Sequence, residues 1–477
     1  MKPRDGLRAG RVQERAAFWI RWVPVATCLA ALLAYQWFTS VHVIPLTRIE
    51  ANAIAGADLL WNPLPTSGPT ISDDDLIHLA KDPAATKAIG FLDSRAGSPH
   101  LHLTDIQASR RITELLDRLI SGRKLVVAVK QDNSAFETQS AVRELAKVYA
   151  IQLRLEAVER DRAGCFQLAM QALAYHRFLR RSPSSNIDGL FSAMAAESVI
   201  ERSLEFAVQT GVFDPHQLLV LYRNIEPAPE SDTELANALR ADFTRSLDSF
   251  LLPLQHNAAA IDRLASIGYP NVIDDPALDD SEILRSGLAA GELNIPETVR
   301  REAEIYRSAV ANCALPWNRQ DRAALVKLEA DVKLLPALPN ISRSDPWLTR
   351  MCEKTLFKAK LRAIRNDLGL IVLSGSDIAG QAVSASFYHR TASEACRLAI
   401  LIQLYSQLHG GALPGKLNDL SELVPTGHPP EDLYAGGPFH FDARRRIYWS
   451  VGENGVDDGG RNSPGVYPPL DIVWQLP

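Results

Sequence analysis

Three aspartates lie in a glycine-rich stretch near the end of the chain, where their carboxylates could bind a cation. Asp457 and Asp458 follow Asn454-Gly455, and Asp471 closes the stretch that begins at Ser450. Calcium takes about six to eight oxygen ligands, supplied by carboxylates and by backbone carbonyls that a tight loop turns inward. The intervening glycines permit the positive φ angles of such a loop. The residues therefore predict a calcium site formed by Asp457, Asp458 and Asp471.

The same stretch has a second interpretation, as a hairpin. Asn-Gly is a strong turn signal in its own right, so Asn454-Gly455 would reverse the chain while the aspartates are merely hydrated. Arg461 follows the last glycines and adds a positive charge that opposes a bound cation. At the level of the sequence both interpretations stay open.

Other polar clusters contain residue types that occur in metal or catalytic sites, without the spacing of a recognisable reaction centre. They are His100 and His102, then Glu197, Glu201 and Glu205, the pairs Asp274-Asp275 and Asp279-Asp280, and Ser374-Gly375-Ser376-Asp377. The glutamates recur every four residues and share one helix face, which is typical of a solvated stripe. The histidines lack a nearby acidic or cysteine partner, and the serine turn lacks the Gly-x-Ser-x-Gly context.

Composition narrows the function further. The chain of 477 residues carries a formal net charge of −5, without the basic excess of a nucleic-acid-binding protein. The sequence contains no P-loop, no Rossmann glycine motif and no HExxH motif. Its five cysteines form no CxxC pair, so buried free thiols are expected, although one pair among the last four could still oxidise. The sequence identifies no catalytic or cofactor-binding residues, and it favours a protein that is not an enzyme.

The front of the chain predicts a membrane anchor. Residues 22–38 form an uncharged apolar run, preceded by a basic tail at 1–21 that has six Lys and Arg against two acidic residues. Such a flank stays on the cytoplasmic side, so residues after Phe38 are expected outside a bacterial inner membrane. The alternatives are a cleavable signal peptide, for which Phe38-Thr39-Ser40 is a poor cleavage site, and a buried soluble helix.

Apolar spacing and helix signals predict the elements that must position any site. Residues 41–104 form a mixed membrane-proximal segment, and 105–380 form a helical domain that is a bundle or an irregular array. Asp214 before Pro215 predicts a helix start, and Ser231 to Glu234 has a capping-box pattern. One short strand is predicted at Leu125–Val129. The fold class is therefore mainly α, with a small α+β module at residues 385–477.

That module begins with an apolar helix at Tyr388–Leu408 and continues into two short strands around Phe441 and Tyr448. Its motif order resembles the C-terminal part of the major pseudopilin of type II secretion systems. The matching residues are Ile402-Gln403-Leu404-Tyr405, Gly411 and Pro414, Asp432, Gly436 and Pro438, Ser450-Val451-Gly452 with Asn454-Gly455, and Asp471-Ile472. The resemblance implies a calcium-binding loop here, with Ser450 to Gly452 and Asp471 at its two ends.

The whole layout also resembles a group of uncharacterised single-span bacterial helical proteins, whose tails have the form S-V-G-x-N-G-x-D-D-G-G. That resemblance implies a fold and a location in the envelope. We therefore expect a membrane-anchored extracytoplasmic protein with an interaction or scaffolding role, and with other envelope proteins as partners. The alternatives are a membrane-anchored hydrolase whose site is assembled from distant residues, and a pseudopilin-like secretion subunit.

Overall fold

The computed structural model describes residues 42–60, 70–93, 103–121, 124–125, 133–181, 187–228, 232–254, 292–335, 346–374, 377–424, 427–461 and 470–476. The predicted span at 22–38, the two histidines at 100 and 102 and the aspartate pairs at 274–280 lie outside these ranges. Predictions about them stay predictions.

The protein is mainly helical, with a few small sheets. The helices are α1 Arg48–Ala55, α2 Asp73–Ala80, α3 Pro83–Asp93, α4 Leu103–Ile120, α5 Asn133–Glu159, α6 Arg162–Arg181, α7 Ile187–Gln209, α8 Pro215–Asn224, α9 Thr233–Ser246, α10 Ile295–Asn312, α11 Ala323–Val332, α12 Trp347–Arg362, α13 Asp367–Ser374 and α14 Asp377–Leu408. Short helical turns also occur at Leu247–Leu251, Leu252–Leu254, Trp317–Arg319 and Leu417–Leu423. The mainly α prediction is confirmed at this level.

The strands are short, and each sheet has only two or three of them. They are β1 His42–Ile44, β2 Thr70–Ile71, β3 Lys124–Leu125, β4 Glu292–Asn294, β5 Glu431–Asp432, β6 Gly437–Pro438, β7 His440–Asp442, β8 Ile447–Ser450 and β9 Ile472–Gln475. Two parallel pairs join β1 to β4 and β2 to β3, whereas β5 and β6 pair antiparallel. The three-stranded antiparallel sheet has the order β7-β8-β9, with Tyr448 opposite Trp474.

Helix starts follow the local signals, with one correction. The Asp214 carboxylate accepts a hydrogen bond from the Gln217 backbone N–H at 2.8 Å, and Pro215 opens α8 as predicted. In α9 the cap is Asp232, whose Oδ1 accepts from the Leu235 N–H at 2.9 Å. The predicted capping box that starts at Ser231 was therefore one residue early, because an aspartate next to the serine offers a stronger acceptor for the helix amides.

The chain divides into two compact units. The first consists of Met1–Ala55, Ser246–Ala303 and Leu325–Asp377, and the second of Gly56–Arg245, Glu304–Ala324 and Ile378–Pro477. Within the first unit, α13 begins beside the β1–β4 pair. There the Asp367 carboxylate accepts from the Glu292 N–H at 2.7 Å, and the Asn366 side-chain oxygen accepts from the Asn294 N–H at 2.7 Å.

The second unit has one continuous apolar core. α5 packs along α7 and also contacts α2, α3, α4 and α6. At its centre the rings of Tyr149 and Tyr175 lie 5.6 Å apart, and both residues are fully buried. Burying a phenol requires a partner for its hydroxyl, and the Tyr175 hydroxyl donates to the Val142 carbonyl at 3.0 Å.

The C-terminal sheet belongs to this same core. Tyr448 is fully buried, stacks on Trp474 and donates its hydroxyl to the Glu205 carboxylate at 2.8 Å. The predicted hairpin around Phe441 and Tyr448 is confirmed as β7 and β8. The third strand, β9, was not predicted, because it pairs with β8 only after a loop of some twenty residues that has no local signal.

Two further expectations concern the cysteines and membrane spans. Cys165, Cys313 and Cys396 are buried free thiols, and Cys352 is an exposed one. Among the described residues, one helical stretch, Asp367–Leu408, is long and apolar enough to cross a membrane. Sixty per cent of its most apolar window is buried inside the protein, as in the core helix of a soluble domain, so this is weak evidence for a span.

Candidate functional site

The three aspartates of the predicted calcium site lie in the loop between β8 and β9, and each faces nitrogen donors. Asp471 is buried and accepts from the backbone N–H groups of Gly460 at 2.7 Å and Arg461 at 3.3 Å. Asp458 accepts from the Asn454 side-chain amide at 2.9 Å. Asp457 accepts from the indole N–H of Trp449 at 2.9 Å, and this bond lowers its pKa.

Asp458 and Asp471 do come together, since the Asp458 backbone N–H lies 3.3 Å from Asp471 Oδ1. The carboxylates therefore hold the loop by capping its amides, and Asn454-Gly455 forms a tight turn with Gly455 at φ +66°. In the part of the chain that is described, no three His, Cys, Asp or Glu side chains are grouped so that they could hold a metal ion. This arrangement fits an amide-capped loop better than a calcium cage, and calcium binding stays a prediction.

A fourth aspartate, Asp432, supports the same loop from the other side. Asp432 is fully buried and accepts from the Ser450 hydroxyl at 2.7 Å and the Val451 N–H at 3.1 Å. Burial raises the pKa of Asp432 despite these bonds. The fold thus joins β5 to the end of β8 through two residues that are eighteen positions apart.

The most concentrated set of ionisable groups lies elsewhere, inside the second unit. We call it the ionic cluster: His176 and Arg180 from α6, Glu197 and Glu201 from α7, and His389 and Ser393 from α14. On each helix the two residues are four positions apart, so each pair occupies one face. Except for Arg180, which keeps 15% of its side chain exposed, all of these residues are more than nine-tenths buried.

The glutamates are the centre of this cluster. His389 Nε2 lies 2.6 Å from Glu197 Oε2, and Arg180 Nε donates to the same oxygen at 3.3 Å. His176 Nε2 lies 2.9 Å from Glu201 Oε1.

Further bonds join the three helices. The Ser393 hydroxyl also donates to Glu201 Oε1 and accepts from Arg180 Nη2 at 3.1 Å. His389 Nδ1 lies 3.1 Å from the Ser198 hydroxyl.

These contacts keep the carboxylates ionised although they are buried. Burial alone would raise the pKa of Glu197, but the charge of His176 and the hydrogen bond from His389 outweigh it and lower that pKa to about 2. The pKa of Glu201 is lowered by the same two imidazoles. Burial would lower the pKa of His389, yet the two carboxylates raise it. The cluster therefore stores two negative charges against Arg180 and at least one imidazolium.

Glu197 and Glu201 correct the interpretation of the glutamates as a solvated stripe. Both are buried because α6 and α14 supply cations at the matching height, whereas Glu205 is half-buried and accepts from Tyr448. The sequence signal for the burial of these two glutamates is the run of apolar residues beside them in α7. Ala196, Ile200 and Leu204 surround the glutamates, and all three are buried, which is unusual for an exposed face.

The arrangement can hold protons and lock three helices together, but its members are closed to solvent. Histidine and glutamate within hydrogen-bond distance form the general acid–base pair of many enzymes, which must also reach a substrate. Here Glu197 and Glu201 are each 3% exposed and His389 is 5% exposed. The ionic cluster therefore joins three helices through buried, charge-assisted hydrogen bonds.

Comparisons with known proteins assign this chain to no family. No protein-family model matches it, and neither the curated proteins nor the solved structures include a match.

Proposed function

We propose that the chain is a single-span envelope protein, with its N-terminus in the cytoplasm and an extracytoplasmic helical region that acts by binding another envelope protein. The tail module is part of that outer region. The observation that carries the interaction role is an exposed apolar face on the first unit, formed by α12.

The α12 face is unusually apolar for a surface helix. Trp347 is 68% exposed, and Leu348, Met351 and Leu356 are also exposed, whereas Phe357 and Leu361 on the other side are buried. Fourteen large apolar side chains are exposed among the described residues, and eight of them lie in the smaller first unit. Four exposed large apolar side chains on one helix exceed the scattered single residues of an ordinary surface, and we take them as the interaction site.

The first unit is also the part nearest the predicted anchor. Only residues 39–41 separate the span from β1, which starts at His42. Because a fully extended chain covers about 3.5 Å per residue, β1 would begin within about 15 Å of the end of the span. A surface on this unit would therefore meet partners that are themselves held at the membrane.

The charge of α12 favours a protein partner over the lipid surface. The helix has five basic residues against one acidic residue, so its partner should be acidic. Four of the five basic residues lie after Met351, and Trp347 and Leu348 lie at the opposite end. A helix lying flat in a bilayer instead needs its apolar and charged residues on opposite faces along its whole length. Trp, Met and Arg are typical of the centres of protein interfaces.

The hydrolase alternative would need a substrate to reach clustered acid and base groups. The ionic cluster is the best assembled candidate among the described residues, and its burial argues against access. The pseudopilin-like alternative requires processing next to the apolar run, which an intact-mass measurement detects.

Topology is tested first. Protease added to spheroplasts should degrade the chain and leave only a short N-terminal fragment of the cytoplasmic tail and span. A C-terminal epitope that survives intact, while a known extracytoplasmic protein is digested, would contradict the proposal.

The interaction surface is tested from Cys352, which is the exposed thiol on α12. A membrane-impermeant maleimide carrying a photoreactive group should attach there, and illumination of native membranes should give a discrete protein adduct. The Leu348→Asp variant should lose the adduct. The control is Cys352→Ser with Ala195→Cys, which moves the probe to an exposed position on α7. Adducts with lipid alone, or the same adduct from the control position, would refute the proposed interface.

A further inference from the structure

A second feature of the second unit lies apart from the ionic cluster, at the meeting of α4, α5 and α6. It is a cavity of about 230 Å³ whose lining is almost entirely polar. The lining residues are Arg110, Thr113, Glu114, Gln152, Glu156, Asp161, Gly164, Gln167, Leu168 and Gln171. Apart from Leu168 and Gly164, every lining residue has a polar side chain, so the cavity is built for a polar occupant.

Two deeply buried side chains of α5 each leave one polar atom without a partner in this lining. Gln152 is 1% exposed and Glu156 is 4% exposed. Arg110 pairs with Glu156 Oε1, and the Thr113 hydroxyl lies 3.2 Å from Gln152 Oε1. Glu156 Oε2 and Gln152 Nε2 have no hydrogen-bond partner among the described residues. A buried carboxylate oxygen without a donor is costly, and a bound ligand or water removes that cost.

The charge around the cavity indicates the sign of the occupant. Glu114, Glu156 and Asp161 carry three negative charges against the single positive charge of Arg110. A cation that approaches Glu156 Oε2 would gain a charge-assisted hydrogen bond inside a low-dielectric wall. The volume is below the roughly 300 Å³ at which pockets for drug-sized ligands begin, so the occupant is small.

Gly164 keeps the space beside the unpartnered oxygen open. A Cβ atom at this position would lie 3.1 Å from Glu156 Oε2 and 2.5 Å from Asp161 Oδ2. The glycine stands in the first turn of α6, and its N–H bonds to Asp161 Oδ1 at 3.1 Å. Alanine is the better helix former here, so the reason for glycine lies in the space that it leaves.

We infer that this cavity is a binding site for a small organic cation bearing ammonium groups, of the size and charge of an aliphatic diamine. One ammonium donates to Glu156 Oε2, and Glu114 and Asp161 balance the remaining charge. Gln152 Nε2 is itself a donor and makes no bond to the ammonium. This site is independent of the membrane anchor and of the α12 face.

The test uses the full-length chain purified in detergent, with 1,4-diaminobutane as the probe and uncharged 1,4-butanediol as its size-matched control. Calorimetry should show saturable binding of the diamine alone, and the diamine should raise the melting temperature because it binds only the folded state. Glu156→Gln should weaken binding at least tenfold. Gly164→Ala, which fills the space but leaves every charge in place, should weaken it as much.

The matched control is Glu144→Gln, which removes the same charge from the same helix at a distance from the cavity and should leave binding unchanged. Equal effects of the diamine and the diol, equal effects of Glu156→Gln and Glu144→Gln, or stabilisation by calcium chloride without any effect of the diamine would each overturn the inference. In those cases the cavity holds only water or a metal ion.

Discussion

Glu197 offers the sharpest test of how the second unit is held together. Replacing it by glutamine keeps the shape of the side chain but removes a buried negative charge. Arg180 and His389 both donate to this carboxylate, from 3.3 and 2.6 Å. In the variant, the positive charges of Arg180 and His389 would remain in the interior, opposite an amide that carries no charge.

The structure sets the size of the expected effect. The pKa of Glu197 is about 2, against 4.5 for an ordinary glutamate. Lowering a pKa by one corresponds to about 1.4 kcal/mol of preferential stabilisation of the charged form, so the folded state gains about 3 kcal/mol at neutral pH. Breaking one side of a buried ion pair typically costs about 3–5 kcal/mol. We therefore expect Glu197→Gln to lower the free energy of unfolding of the second unit by about 3 kcal/mol.

The assay is hydrogen–deuterium exchange on the full-length chain, because it reports the opening free energy of α7 without requiring the two units to unfold together. Asp188→Asn at the exposed start of α7 is the control, and it should cost less than about 1 kcal/mol. Adding Arg180→Met to Glu197→Gln should cost less than the sum of the two single changes, since both remove one interaction. A loss below about 1 kcal/mol for Glu197→Gln, or strict additivity, would refute the reasoning.

Three further predictions rest on the ionic cluster, on Glu205 and on the C-terminal loop. The lowered pKa of Glu197 stabilises the second unit above pH 4.5 and loses that contribution as the pH falls towards 2, whereas the raised pKa of His389 stabilises it below pH 6.5 and loses its contribution as the pH rises. Exchange of α7 measured across pH should therefore be slowest, after correction for intrinsic rates, between these limits; a maximum of protection above pH 8 would contradict this. Burial raises the pKa of Glu205 from 4.5 to about 7, so by the same conversion Glu205→Gln should stabilise the unit by about 3 kcal/mol at pH 8 and by less than about 1 kcal/mol at pH 5, as measured by the same exchange. Asp471→Asn should lower the melting temperature by weakening the amide cap of the C-terminal loop, and Asp457→Asn on the exposed side should lower it less. An Asp471→Asn protein with an unchanged melting temperature would contradict the cap. A chelator should lower the melting temperature of the parent protein only if these aspartates also hold calcium.

Local chemistry was enough to predict much of the secondary structure. An aspartate before Pro215 starts a helix wherever the chain goes next, because the cap satisfies amides within the same turn. The hairpin of β7 and β8 is likewise predictable, since its strands are joined by a short turn. The apolar spacing of α6 and α14 indicates a buried face for the same reason: it depends only on the helical period.

The sequence alone also predicts the anchor at residues 22–38. Around Asp457, Asp458 and Asp471 it is compatible with both a calcium loop and a simple turn, and it does not decide between them. The tertiary structure brings Asp471 to the amides of Gly460 and Arg461 through the pairing of β8 with β9. That pairing joins segments across a long loop, and no local preference encodes it.

Only the tertiary structure determines that Glu197 and Glu201 are buried and not solvated. In the sequence they are charges at helical spacing, which water solvates on most helices. Their partners His176 and His389 lie twenty-five and nearly two hundred residues away along the chain. Burying a carboxylate is unfavourable until such partners are in place, so its position depends on the assembled helices and not on the helix that carries it.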